Sequence, residues 1–286
     1  MQERMRETVS KLSETWYPRD YLHKDNLDAA AAWISSELAS TGAAVHDQTY
    51  TVSGTTYRNV VASYGPETPS RVVLGAHYDV VQDVPGADDN ASGVAGLLEV
   101  GRLLAKDSPS VRIELVAFTL EEPPYFATAD MGSAVHAKSL SDTKVECKAM
   151  IALEMIGYFS DQAGSQTFPV GGMESIYGDV GNFIAVVGRT DQKTLVDGVR
   201  ATMAAASGLR TEPLAAPSSL TGVDFSDHRS YWTYSWPAVM VTDTAFYRNT
   251  NYHKPTDTQD KLDFGKMELV VVGVHAAVRE LAGASP

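Results

Sequence analysis

Two histidines and a set of carboxylates sit where chemistry is plausible. His77-Tyr78-Asp79, Glu121-Glu122 and Glu154 each close a short apolar run, GADDNASG at 86–93 follows the first of them, and Asn251-Tyr252-His253 comes much later, with Asp257 after it. Imidazole nitrogen and carboxylate oxygen are ligands for zinc, and also for manganese or cobalt. Singly, most of these groups have a plainer reading. His77 and Asp79 could be a satisfied polar pair, the Asp-Asp-Asn loop a turn with a helix cap, and Glu121 and Glu122 solvated charges. Glu154 is harder to read that way, because Ile151-Ala152-Leu153 and Met155-Ile156 bracket it. A carboxylate in so apolar a setting needs a compensating cation. The three strand-end motifs contain no Lys or Arg, so carboxylates gathered there would repel one another unless a metal sat between them. Five ligands exceed what one tetrahedral ion uses, and two ions sharing a carboxylate account for the set.

Such an arrangement requires elements that bring distant residues to one edge. The run 71–77 is almost continuously apolar, as expected of a strand buried on both faces. Further strands are predicted at 111–120, 149–155, 182–187 and 238–242, with helices at 92–106, 131–139, 192–205 and 264–281. Two helices, 5–12 and 27–40, precede a hairpin formed by 45–52 and 56–63, joined through Ser53-Gly54-Thr55. Strands alternating with helices imply an α/β fold with a largely parallel sheet covered on both faces. In such sheets ligands sit beyond the carboxyl ends of the strands, which is where the candidate residues lie.

Composition narrows the partners. The chain has 286 residues, 44% hydrophobic, long enough for a large core. With 36 acidic against 23 basic side chains, a formal charge of −13 and no basic block, it lacks the cationic surface that nucleic acid requires. No run approaches the roughly 18 apolar residues of a membrane span. Cys147 is the only cysteine, so there is no internal disulfide. The opening residues contain no apolar signal-peptide segment, so the sequence as it stands reads as soluble and cytoplasmic; a periplasmic or secreted chain trimmed of its export signal would read the same. Nothing in the sequence bears on oligomeric state.

His77-Tyr78-Asp79, GADDNASG, Glu121-Glu122, Glu154-Met155-Ile156-Gly157, Ser226-Asp227-His228 and Tyr252-His253, in order from about 71 to 260, together resemble the di-zinc exopeptidases of metallopeptidase family 28. That family includes bacterial leucyl aminopeptidases, glutamate carboxypeptidase II and, as a single-zinc relative, glutaminyl cyclase. The resemblance implies one metallopeptidase catalytic domain over 1–286, a three-layer α/β/α sandwich around a mixed, mostly parallel twisted sheet. It implies two divalent ions, zinc first and Mn2+ or Co2+ next, and a peptide substrate. Asp89 would bridge the ions, with His77 and Glu154 completing one site and Glu122 and His253 the other. Glu121 would be the general base, Asp79 would accept the second ring N–H of His77, and Tyr252 would donate to the developing oxyanion. The Asp89–Asn90 bond falls where relatives have a cis peptide. Asp227 and His228 would line the substrate pocket, with Ser226 there too or capping the next helix. Tyr125 and Phe126, in the insertion-like Pro123-Pro124-Tyr125-Phe126 turn, would wall the pocket. The other histidines, His23, His46, His136 and His275, read as structural, His275 as a core residue.

Glu154 departs from the Asp usual in aminopeptidases of this clan and leaves the polarity of the exopeptidase open. An aminopeptidase is the leading expectation and a carboxypeptidase or dipeptidase the next. A free carboxylate would need a basic partner, for which Arg229 and Arg248 are the nearest in sequence. A glutaminyl-cyclase-like acyltransferase is a further alternative, opposed by the presence of His77.

Overall fold

The computed structural model describes residues 1–283 of the chain. Its elements, in order, are α1 (Gln2–Ser10), α2 (Lys24–Ala39), β1 (Ala44–Val52), β2 (Thr55–Tyr64), β3 (Ser70–His77), α3 (Gly93–Leu104), β4 (Arg112–Phe118), α4 (Gly132–Asp142), β5 (Glu146–Glu154), a single turn α5 (Glu174–Tyr177), β6 (Ile184–Arg189), α6 (Lys193–Ser207), β7 (Thr211–Ala216), the short α7 (His228–Trp232), β8 (Ala238–Thr242) and α8 (Phe264–Leu281). The strands form one sheet in the order β1-β2-β4-β3-β5-β8-β6-β7. The central four, β4, β3, β5 and β8, are parallel; β1, β2 and β4 pair antiparallel, and β6 runs antiparallel to β8 and parallel to β7.

Successive side chains of a strand point to opposite faces, and β3 uses both. Val72, Leu74 and Ala76 join the core under α1, α2, α3, α6 and α8, while Val73 joins the second core, under α4 and α7. This two-sided burial explains the unbroken apolar run and gives a single three-layer α/β/α domain. The strand β7 was not foreseen: Thr-Glu-Pro-Leu-Ala-Ala is a short edge strand, half-exposed, where a proline is tolerated because its missing N–H faces no neighbour. Helix α3 begins only at Gly93, because residues 87–92 form a wider turn in which Asp89 (φ −102°, ψ 91°) and Asn90 (φ −131°, ψ 40°) leave helical geometry. The Asp89–Asn90 peptide is cis. Among the described residues no helix is long and apolar enough to cross a membrane.

Candidate metal centre

The carboxyl ends of β3, β4 and β5 converge, and the 86–93 turn and the loop before α8 reach the same place. Asp89 lies in the middle. Its Oδ1 is 3.4 Å from His77 Nε2 and its Oδ2 is 3.1 Å from His253 Nε2. Glu154 Oε2 approaches His77 Nε2 at 3.3 Å, and Glu122 Oε1 approaches His253 Nε2 at 3.4 Å. Two three-residue groups share Asp89, one with His77 and Glu154 and the other with Glu122 and His253, and Glu121 joins His77 and Glu122 in a third. All are buried except His253, which is half-buried.

These residues fit two divalent ions. His77 Nε2, Asp89 Oδ1, Glu122 Oε1 and His253 Nε2 are buried atoms without a hydrogen-bond partner, a costly state unless something binds them. Two ligands about 2.0–2.1 Å from a tetrahedral zinc lie about 3.3 Å apart, close to the separations seen. The electrostatics agree. Burial would lower the His253 pKa, yet Asp89 and Glu122 raise it to about 10, and His77 is raised well above its ordinary value by Glu154 and Glu121 despite its own burial. The cluster therefore attracts positive charge to the space between its members. Burial holds Glu121 well above the usual carboxylate range; His77 opposes this, and Glu154 and Glu122 add to it. Its Oε2 is 3.9 Å from His77 Nε2.

Asp79 acts differently from the expectation. The ring Nδ1–H of His77 is accepted by the backbone carbonyl of Asp79 at 3.1 Å, with the carboxylate farther off at 3.6 Å. The Asp79 carboxylate instead accepts the backbone N–H groups of Glu121 (3.2 Å) and Glu122 (3.1 Å), and so fixes the Glu-Glu pair. Ser226 is neither cap nor wall: its hydroxyl donates to Glu154 Oε2 at 2.8 Å. The 86–93 turn is tied to β5 and beyond. Asn90 donates to the Leu153 carbonyl and accepts from Met155 N, Ser92 Oγ accepts from Ile156 N, and Asp88 accepts from Gly157 N and Asn249. Asp257 accepts the backbone N–H groups of Asp88 and Asp89. The available signals were the Ser226-Asp227-His228 motif and the position of Asp257 four residues after the ligand His253, but the targets of both side chains are set by the fold.

An apolar cavity opens beside the cluster, with Glu154 and Tyr252 on its wall and Phe168, Met173, Phe183, Leu214 and Met240 among its lining. Tyr252 also stacks on His253, the rings 3.8 Å apart. Of the predicted pocket residues, Asp227 and His228 are fully buried and outside this lining. Burial raises the Asp227 pKa to about 7, and His228 Nε2 donates to the Val223 carbonyl at 2.8 Å. Tyr125 packs edge-on against Tyr21, away from the cavity; Phe126 meets Phe225, which does line it, under the Arg229 guanidinium. His275 is half-buried and bonded to Asp107 at 2.6 Å rather than in the core. His136 is buried between Tyr231 and Glu114.

The sequence profile described as Peptidase family M28 matches residues 59–278. The uncharacterized protein YfbL of Escherichia coli (strain K12) is 46% identical over 280 residues, 95% of this chain and 86% of that protein. Leucine aminopeptidase 1 of Coccidioides posadasii (strain C735) is 29% identical over 219 residues; the match covers 73% of this chain but only 52% of that protein, about half its length. Among solved structures, BSAP, a zinc aminopeptidase from Bacillus subtilis, superposes with a TM-score of 0.78 at 15% identity, over 100% of this chain and 95% of that one. Porphyromonas gingivalis glutaminyl cyclase superposes with a TM-score of 0.74 at 22% identity, over 98% of each chain. At those identities the two structures bear on the fold alone. The matched stretch takes in both histidines and every carboxylate of the cluster, and on that match the chain belongs to peptidase family M28.

Proposed function

We propose that the protein is a metal-dependent exopeptidase of the aminopeptidase type. His77, Asp89 and Glu154 hold one ion, and Asp89, Glu122 and His253 hold the other. The observation that carries this reading is the division of Asp89, one oxygen facing each histidine–glutamate pair. Bound there, two divalent ions supply Lewis acidity toward a scissile carbonyl and make a water easier to ionise. Glu121 accepts a proton at its carboxylate from the water that attacks the carbonyl carbon. It then delivers that proton to the amine nitrogen as the C–N bond breaks, leaving a free amine and a carboxylic acid whose own proton, the second from the water, passes to the amine or to solvent. Burial keeps the Tyr252 phenol protonated, so its O–H is available to donate to the oxyanion. The apolar cavity takes the side chain of the residue being released.

The cavity wall favours a substrate with a free amine. It contains Glu154 and Glu212 and no Lys or Arg. Arg248 lies beneath it, donating to Gln166 Oε1 and the Phe183 carbonyl, and Arg229 faces Asp224. Arg210, outside the lining, is paired with Glu212 at 2.8 Å, so a substrate carboxylate would meet no unpaired cation there. For the cyclase alternative, His77 is a ligand that a one-zinc relative lacks. Zinc-loaded and chelator-stripped protein should be assayed on dipeptides blocked at either end. Free-amine, C-blocked substrates should be cleaved by the loaded form only; cleavage of N-acylated dipeptides in preference would overturn the aminopeptidase reading. Metal analysis should give about two ions per chain.

A further inference from the structure

We infer that Arg19, from the segment ahead of the family match, is a positioning residue that sets the metal-binding loop from behind. It is fully buried and has no carboxylate within ion-pair distance among the described residues. All three guanidinium nitrogens donate to backbone carbonyls: Nε to Tyr78 (2.8 Å), Nη1 to Leu12 (2.9 Å) and Pro85 (2.6 Å), and Nη2 to Gly86 (2.6 Å). Tyr78 follows the ligand His77, and Gly86 stands three residues before Asp89. One planar fork therefore fixes both ends of the connection between two ligands, and ties it to the turn after α1.

The loop is closed tightly onto this side chain. Gly86 has φ +59°, and a Cβ there would lie 2.2 Å from the Asp89 carbonyl and 3.1 Å from Arg19 Nη2. A buried cation without a paired anion is costly. The negative charges that act on Arg19 are those of Asp257, Asp89, Asp79 and Glu122, the metal loop and its supports. The four carbonyls take four of the five guanidinium N–H groups, and the acidic centre offsets part of the cost of burying its charge. Lysine would keep that charge, but its one nitrogen cannot reach carbonyls spread across a fork.

The inference rests on His77 and Asp89 being ligands. The test compares the full-length protein with its Arg19→Lys and Arg19→Met variants. Zinc affinity is read by chelator competition and stability by urea unfolding, over zinc concentrations below and above saturation. A variant unfolded without zinc still reports affinity through the concentration that folds it. Arg71→Met, at the far end of β3, is the control for a structural arginine. Both Arg19 variants should lose about tenfold to 100-fold in zinc affinity, the scale for groups that orient metal ligands; Arg71→Met should lose stability with zinc affinity within about twofold of the parent. Arg19→Lys and Arg19→Met proteins whose zinc affinity stays within that twofold would overturn the inference, whatever happened to their stability. His77→Ala separates the two readings: if it left zinc affinity and stoichiometry intact, the ligand assignment would fail independently of Arg19.

Discussion

Strands β3 and β4 carry buried charge at both ends, and the two ends are solved in opposite ways. At the start of β3, Arg71 Nε donates to Glu114 Oε1 at 2.8 Å, and Glu67 pairs with both Arg71 and Arg112 from the exposed side. His136 Nε2 lies 3.4 Å from Glu114 Oε2. Burial would push Glu114 up, but His136 and Arg71 outweigh it and hold the carboxylate below its usual range. Beyond the other ends lie His77, Glu121 and Glu122, with Asp89 and Glu154 beside them. Among the described residues no Lys or Arg forms an ion pair with these carboxylates. There burial prevails at Glu122, which rises to about 7, whereas at Asp89 the two histidines, His253 and His77, outweigh burial and hold the carboxylate below its usual range. One cluster supplies its own cations. The other is short of them, and that shortage, rather than buried charge as such, distinguishes a site that binds from one that only holds the fold.

The sharpest break between the two ends should come from Glu121→Gln. The amide keeps the volume and the position set by Asp79 but cannot accept a proton. We expect kcat to fall about 10³-fold or more, near the upper range for general acid–base catalysis, with zinc content unchanged. Near-normal turnover by Glu121→Gln protein would sink the assigned proton path.

Stripping the ions comes next. Chelation should abolish hydrolysis and lower stability, by about 4 kcal/mol for each ion relative to protein held at a thousandfold excess of zinc over that site's dissociation constant. Unfolding midpoints with and without zinc would measure it. Arg71→Met should do the converse: removing one partner of a buried pair costs about 4 kcal/mol, while kcat/KM at saturating zinc stays within about twofold. If Arg71→Met protein lost activity in proportion to stability, the two ends would not be separable.

The contrast also explains what could be read from the sequence. His77, Glu121, Glu122 and Glu154 were legible because ligand-type residues at the ends of apolar runs have few other uses, and a parallel sheet gathers such ends; Asp89 and His253 lie in polar loops and took their roles from the family resemblance. Arg19 was not, since one arginine in a mixed-charge opening segment resembles any surface residue and only the folded chain places it behind the loop. Asp79 was recognised, but its carboxylate goes to the Glu121 and Glu122 backbone, a choice made by side-chain direction rather than spacing. Asp227 and His228 were assigned to the pocket because the family resemblance places the Ser226-Asp227-His228 motif near the substrate. A loop does not announce which of its side chains turns inward, and here these two go under the wall.

His228 supplies the mildest test, as a buried histidine with no carboxylate bonded to it. Burial lowers its pKa to about 4; the nearby Arg229 charge adds to this, and the Val223 carbonyl opposes it. The ring packs edge-on against Trp232, 4.6 Å between centroids, and is held neutral, opposite to the direction in which His77 and His253 are driven. In the unfolded chain it titrates near 6.5. Between about 6.5 and 4 the unfolded state therefore binds more protons, so stability is intact above that window and falls as the pH is lowered through it. The loss should reach about 3 kcal/mol once the pH is below both values. His228→Gln can still donate to the Val223 carbonyl but cannot take up a proton. Urea midpoints of chelated parent and variant, measured from pH 7 to pH 4, should show the parent losing more stability by that amount. Parallel curves would mean that His228 is solvated or paired when charged, and would remove the contrast between this histidine and the two at the metal centre.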